Sequence, residues 1–370
     1  MTAMRVAIVG SEAEDNLEFH LRDTLARAGA QARCFDERDT PMSVRPAGLA
    51  RAERLVRRIA PSWDRAILRR IADRVSDFDP DLVLVTPRDL DPALVRRIRE
   101  RRPSAPIVQM NPDSLLTLGR GRLFLGGYDL YLTKDRFIER ALRDKLGFPV
   151  RYLPEAFNPV YHVPPDAPKG DVERAVDVDV AVFGSMYPYR TVFLERLLDA
   201  GVRFSLFGAR PSHATPGRWE AAFTGEYLRG RRKAEVLRGA RIALNIMHYA
   251  EIESVNARFF EILGCGGFQL CDRTPVLAEL AHPGQETETF ATFDEAVDKI
   301  RAYLADAPAR AVIADAGRRR ALAEHTYEHR FAAIFGMLGM TPPPGLRYAA
   351  PAVEPRTDLG AEPSAARRDP

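Results

Sequence analysis

Two glutamates, Glu253 and Glu261, stand eight residues apart in the stretch ESVNARFFEILGCGGFQLCD, Glu253 to Asp272. Its middle sets apolar Phe259, Phe260, Ile262 and Leu263 among polar Asn256, Arg258 and Glu261, which predicts a short helix over 256–263 with one buried face. Ser254 or Asn256 can cap its start, and Gly264, Gly266 and Gly267 stop it. At about 1.5 Å of rise per residue, eight residues cover about 12 Å. A nucleoside diphosphate sugar laid along such a helix has a comparable length. One carboxylate would accept hydrogen bonds from ribose hydroxyls and the other from sugar hydroxyls, with the helix-start amides facing the diphosphate. The same pattern also suits an ordinary amphipathic helix carrying two surface glutamates.

Further polar residues follow predicted strands, where open parallel sheets place their ligands. Asn111 and Asp113 follow Ile107–Met110, Lys134 and Asp135 follow Tyr131–Leu132, and Glu155 follows Tyr152–Leu153. Asp113 is the best-placed general base, although each of these residues would also serve as a helix cap. His20 and His162 are available for proton transfer, against the commoner structural role of a lone histidine. Cys34, Cys265 and Cys271 are too few and wrongly spaced for a disulfide framework or a zinc site. No Asp-x-Asp follows a strand, so metal dependence is not expected.

The elements that must hold these residues read as alternating strands and helices, an α/β pattern of parallel sheets. Arg5–Gly10, Gln31–Phe35, Asp81–Thr86, Pro106–Met110, Tyr128–Thr133 and Val150–Leu153 are the strands of a first domain, 1–162. Gly10 is followed by Ser-Glu-Ala-Glu-Asp rather than G-x-G-x-x-G, and acidic residues there would repel a pyrophosphate, which argues against a nicotinamide-linked oxidoreductase. Residues 163–178, rich in proline and charge, read as a linker. A second series, Asp179–Gly184, Arg203–Phe207, Arg241–Met247 and Phe268–Cys271, makes a domain over 179–325. A closing helix over 326–340 and a disordered tail over 341–370 complete the chain.

The length of 370 residues suits two domains, and an apolar content of 46% is that of a globular protein. The 54 basic and 51 acidic residues nearly cancel at +3, so nucleic acid is not an expected partner. The N-terminus runs straight into a strand without a signal peptide, and no apolar run approaches a membrane span; the cytoplasm is the expected location. Leu49–Val75 is basic and amphipathic, which suits either a solvated helical face or peripheral contact with anionic lipid.

VFGSMYPYR (Val182–Arg190), RIALNIMH (Arg241–His248) and NARFFEILGCGGFQLCD (Asn256–Asp272) together resemble the group 1 glycosyltransferases of GT-B fold. The nearest likeness is to the spore-maturation-type subgroup. It continues through Phe293–Lys299 and EHTYEHR (Glu324–Arg330), and more weakly through PIVQMNPDS, YDLYLTKD and YLPEAFNPVYH in the first half. The resemblance implies two facing Rossmann-like domains and hexosyl transfer from a nucleoside diphosphate sugar, held mainly by the second domain, without other cofactors. In E-x7-E relatives the second glutamate binds ribose and the first faces the sugar, which are the places of Glu261 and Glu253. Gly184 and Ser185 would let backbone approach the diphosphate and Arg190 would neutralise it. The sequence lacks the commoner later Arg and Lys of that segment, so Arg258 would share the charge beside Asn256. Asp113 would deprotonate the acceptor, whose pocket is expected in 1–162. The alternatives are a nucleotide-sugar or carbohydrate-binding protein without catalysis and a nucleotide-sugar epimerase on the same fold.

Overall fold

The computed structural model describes residues 3–36, 61–87, 90–111, 122–208 and 216–346. Strands β1 (Arg5–Val9), β2 (Gln31–Phe35), β3 (Leu82–Val85), β4 (Ile107–Asn111), β5 (Leu130–Thr133) and β6 (Val150–Tyr152) form one sheet in the order β2-β1-β3-β4-β5-β6. Strands β7 (Val178–Phe183), β8 (Ser205–Phe207), β9 (Ala240–Asn245), β10 (Gln269–Asp272) and β11 (Glu288–Phe290) form a second, in the order β11-β10-β9-β7-β8. Every pairing is parallel.

Burial explains the strand sequences. β3 (LVLV) and β5 (LYLT) are covered on both faces and carry no polar alternation. In β1, Val6 and Ile8 pack with Leu21 and Leu25 on one side, while Ala7 and Val9 pack with Ile71, Val75 and Leu94 on the other. The second sheet is likewise sandwiched: Val180, Val182 and Leu244 meet Leu194, Leu197 and Ile300, and Ala181, Phe183 and Ala243 meet Val236, Leu237 and Ile262.

Two features cross between the lobes. The last helix, Tyr327–Leu338, leaves the second lobe and buries Tyr327, Phe331, Ile334 and Phe335 in the core of the first. Phe157 fastens the crossing, donating its N–H to His325 O at 3.1 Å and accepting from Tyr327 N at 3.3 Å. The 163–178 stretch holds a helix, Lys169–Val176, that belongs to the second lobe. Its charges are buried in partnership rather than solvated: Lys169 Nζ donates to Arg238 O at 2.8 Å, and Glu173 pairs with Arg310 at 2.6 Å. Composition alone does not distinguish buried pairs from solvated charge, which is why the segment reads as a linker.

Residues 341–346 pack back on the first lobe, Gly345 N donating to Ala28 O at 2.9 Å. The remainder of the tail, 347–370, the first part of the basic stretch, 49–60, and Asp113 lie outside the described residues. No helix among the described residues is long and apolar enough to cross a membrane.

Each sheet reverses its strand order once, between β1 and β3 in the first and between β7 and β9 in the second. Crevices open outside the carboxyl ends of strands at such points. The segments leaving β1, β7 and β9, joined by the one that follows β8, therefore carry the side chains of the site.

Candidate functional site

The Ala257–Gly264 helix starts where β9 ends, and a chain of buried amides sets its position. Asn256 Oδ1 caps Phe259 N at 3.1 Å, and the Asn256 and Asn245 amides exchange hydrogen bonds at 3.0 and 3.1 Å. Asn245, wholly buried, also donates to Gln269 Oε1 on β10 at 3.1 Å. Asn256 therefore fixes the helix start and its amide is committed to that work.

From its first and second turns, the helix directs Arg258 and Glu261 into a cleft of about 110 Å³ between the lobes. Gly184, Gly208, Phe207, Tyr227 and Lys233 from the second lobe and Asp15 from the first also line it. Gly184 has φ +97°, and a side chain there would collide with the Arg258 guanidinium. Among the described residues that guanidinium forms no hydrogen bond or close ion pair, and burial lowers its pKa. It is a half-buried positive charge beside a bare stretch of backbone, which is a setting for an anion.

Glu261 Oε1 accepts from Lys233 Nζ at 2.7 Å. Burial pushes its carboxyl up, but the Lys233 ammonium together with the nearby His162 overcomes this and holds it below the usual carboxylate range. Lys233 also reaches Asp15 Oδ2, in the loop after β1, at 3.1 Å. Asp15 sits at φ +68° and accepts from three side chains: Lys233, His162 Nε2 at 2.6 Å and His20 Nε2 at 3.0 Å. Burial raises its pKa; the two histidine hydrogen bonds and Lys233 overcome that and hold it far down.

Asp15, His20 and His162 have the donor set of a metal site, their atoms lying within 4.8 Å of one another. Their hydrogen bonds fit that use poorly. Asn158 Nδ2 faces His20 Nδ1 at 3.4 Å, which leaves the proton on Nε2, where it points at Asp15. The Lys233 ammonium occupies the other carboxylate oxygen. The trio is a hydrogen-bonded anchor for Lys233.

The structure separates the two spaced glutamates. Glu253 does not line the cleft; its carboxylate takes a bidentate pair from Arg140 of the first lobe, at 2.7 and 2.8 Å. Its backbone is pinned as well, Glu253 N donating to Asp135 Oδ2 at 3.2 Å and Arg136 N to Glu253 O at 3.2 Å. Nearby, Lys134 pairs with Glu251 at 2.7 Å and lies 3.6 Å from Glu155. A sequence spacing measures rise along a helix, but Glu253 precedes the helix, where the chain has turned toward the other lobe.

Arg190 is also elsewhere. Its buried guanidinium donates to the carbonyls of Ser185 and Ile246, both at 2.5 Å, and bolts the loops after β7 and β9 together. Burial and the neighbouring Arg258 lower its pKa to about 10. Ser185 is exposed on that loop and does not line the cleft. Of the residues singled out by sequence, Gly184, Arg258 and Glu261 come together. Lys233 and Asp15 carry no distinguishing signal in the sequence: Lys233 sits in an evidently basic helix, and Asp15 is one acid among several in its loop.

Residues 190–336 match the model of a family described as glycosyl transferase-like. No curated protein matches the sequence. Among solved structures the chain is similar to sucrose-phosphate synthase of Thermosynechococcus elongatus, with a TM-score of 0.65 and 12% identity over 91% of this chain and 98% of that one. It is similar to Anabaena HepE in complex with UDP and glucose, with a TM-score of 0.62 and 12% identity over 91% and 99%. A glycosyltransferase from Rickettsia africae gives a TM-score of 0.58 at 10% identity over 88% and 95%. The architecture of two parallel-sheet α/β domains flanked by helices is that of the GT-B fold.

Proposed function

We propose that this protein transfers a sugar from a nucleoside diphosphate sugar to an acceptor hydroxyl, with UDP as the nucleotide. The observation that carries the reading is that Arg258 and Glu261 both face the interlobe cleft, beside glycine backbone at 184. An unpartnered cation, a bare backbone and a carboxylate one turn further on suit a diphosphate and a ribose in that order. The glycosyl transferase-like match over 190–336 and the UDP found in the HepE structure support the choice.

In this reading Arg258 stabilises the charge that develops on the departing diphosphate, and the preorganised, desolvated site makes that stabilisation strong. Glu261 holds the ribose hydroxyls through Oε2, its Oε1 being fixed by Lys233. Gly184 lets the phosphates approach the main chain. Arg190 and Glu253 act at one remove, the first by joining two loops and the second by tying the loop after β9 to the first lobe. Asp113 remains our candidate for accepting the acceptor's proton, and the transfer is taken to be metal-independent.

The test is incubation of the full chain with UDP-glucose and other UDP, GDP, CDP and dTDP hexoses, followed by product analysis. Release of nucleoside diphosphate with hydrolysed or transferred sugar supports the reading. Release of neither from any donor, together with no UDP binding by calorimetry, would remove it.

A further inference from the structure

Beside the cleft, the loops after β7 and β9 raise four aromatic rings out of the second lobe. Tyr187, Tyr189 and Tyr249 are 44%, 41% and 73% exposed. Tyr187 meets the His248 ring edge-on at 4.8 Å, His248 lies against Tyr249 at 4.0 Å, and Tyr249 meets Tyr189 at 6.2 Å. Exposed Val192 extends the apolar surface. Contiguous exposed aromatics mark an interaction site more often than single ones do.

The cluster is built rather than loose. Arg190 lies beneath Tyr187 at 6.0 Å and ties both supporting loops through its carbonyl contacts. His248 Nδ1 accepts from Ala250 N at 3.1 Å, which fixes the ring and leaves its proton on Nε2. Among the described residues no side chain or backbone group hydrogen-bonds the three tyrosine hydroxyls.

Its position says what would occupy it. Tyr187 is three residues beyond Gly184, which lines the cleft, but does not itself line it. Asp272, a carboxylate at the end of β10, lies against the loop that carries His248, its Oδ2 accepting from Met247 N at 2.7 Å. A pyranose ring offers a face of C–H bonds, slightly positive, that stacks on the negative face of an aromatic ring. Its hydroxyls then need polar partners at the rim, which the phenols, the His248 N–H and the Asp272 carboxylate supply.

We propose that Tyr187, Tyr189, His248 and Tyr249 form a stacking shelf for a glycan acceptor beside the donor cleft. The inference rests on the transferase reading and adds the acceptor class. It also places part of acceptor recognition on the second lobe, whereas the sequence suggested 1–162 alone.

The experiment is saturation-transfer NMR on the full chain with maltotetraose, cellotetraose and chitotetraose as probes, with and without saturating UDP. UDP affinity is measured by calorimetry on the same samples. At least one oligosaccharide is expected to receive saturation at its ring C–H protons, with UDP present or absent. The Tyr187→Ala/Tyr249→Ala variant, altered at exposed positions, should lose that signal at least fivefold while binding UDP as before, and Tyr249→Phe should retain it. No transfer to any probe, or transfer indifferent to the double substitution, overturns the shelf. A signal abolished by UDP places the sugar in the donor cleft and also overturns it. Self-association in ultracentrifugation that the double substitution removes, without a sugar signal, makes the patch a contact with a second copy instead. Sugar binding without UDP binding would spare the shelf and remove the donor reading, so the two failures are distinguishable.

Discussion

Asp15 and Lys233 come from different lobes and meet at 3.1 Å inside the cleft, where the same ammonium also holds Glu261 at 2.7 Å. The carboxylate proposed to read the ribose is thus oriented by a residue whose other partner is across the gap. Replacing Lys233 with Met should take from Glu261 and Asp15 the cation they share, leave Glu261 without its charged partner and lower unfolding free energy by about 3–5 kcal/mol. Urea denaturation measures it. In an Asp15→Asn background the same substitution should cost distinctly less, because one of the stranded charges is already gone.

Glu261→Ala should weaken UDP binding by about 1–3 kcal/mol, the loss expected when a charged hydrogen-bonding partner is removed. Calorimetry with UDP reads it directly. Unchanged affinity would rule out the ribose assignment.

Arg258 is assigned to phosphate, so its removal should discriminate between ligands. Arg258→Ala is expected to cost about 1.5–3 kcal/mol toward UDP and almost nothing toward uridine. Equal losses for both would move Arg258 away from the diphosphate.

Gly184→Ala imposes a side chain at φ +97° against the Arg258 guanidinium. Backbone strain of this kind is worth roughly 1–3 kcal/mol. A lowered melting temperature accompanied by weaker UDP binding is the expected outcome; Ser185→Ala, one residue on and exposed, should change neither.

Asp272 provides a pH signature. Burial raises its carboxyl from 3.8 to about 6, against the opposing Met247 N–H. Between those values the folded state binds the proton more tightly than the unfolded state does, so this residue's contribution makes stability fall as pH rises from about 4 to above 6. The full difference is roughly 3 kcal/mol. Asp272→Asn should remove that slope, and urea titrations at pH 4 and pH 7 test it.

The fold was largely legible because burial on both faces writes itself into the strands: DLVLVT, RVAIVG and RIALNIM permit few other readings. The helix after β9 was legible for a similar reason, its apolar face and capping asparagine being adjacent in sequence. The site was half legible. Glu261 stood out in its helix and the family resemblance pointed to Gly184 and Arg258, whereas the fates of Arg190 and Glu253 depend on partners remote in the chain: Ile246 lies 56 residues from Arg190 and Arg140 lies 113 from Glu253. Lys233 could not be told from its arginine neighbours, because only the meeting of the lobes singles it out.

The return of the Tyr327–Leu338 helix to the first lobe has a consequence for biosynthesis. Phe331, Ile334 and Phe335 fill a core whose other members were made some three hundred residues earlier, at Val6, Ile8 and Leu21. The half of the molecule that leaves the ribosome first is therefore completed last. A nascent chain halted before residue 326 would hold that lobe open, with an apolar trough awaiting its lid.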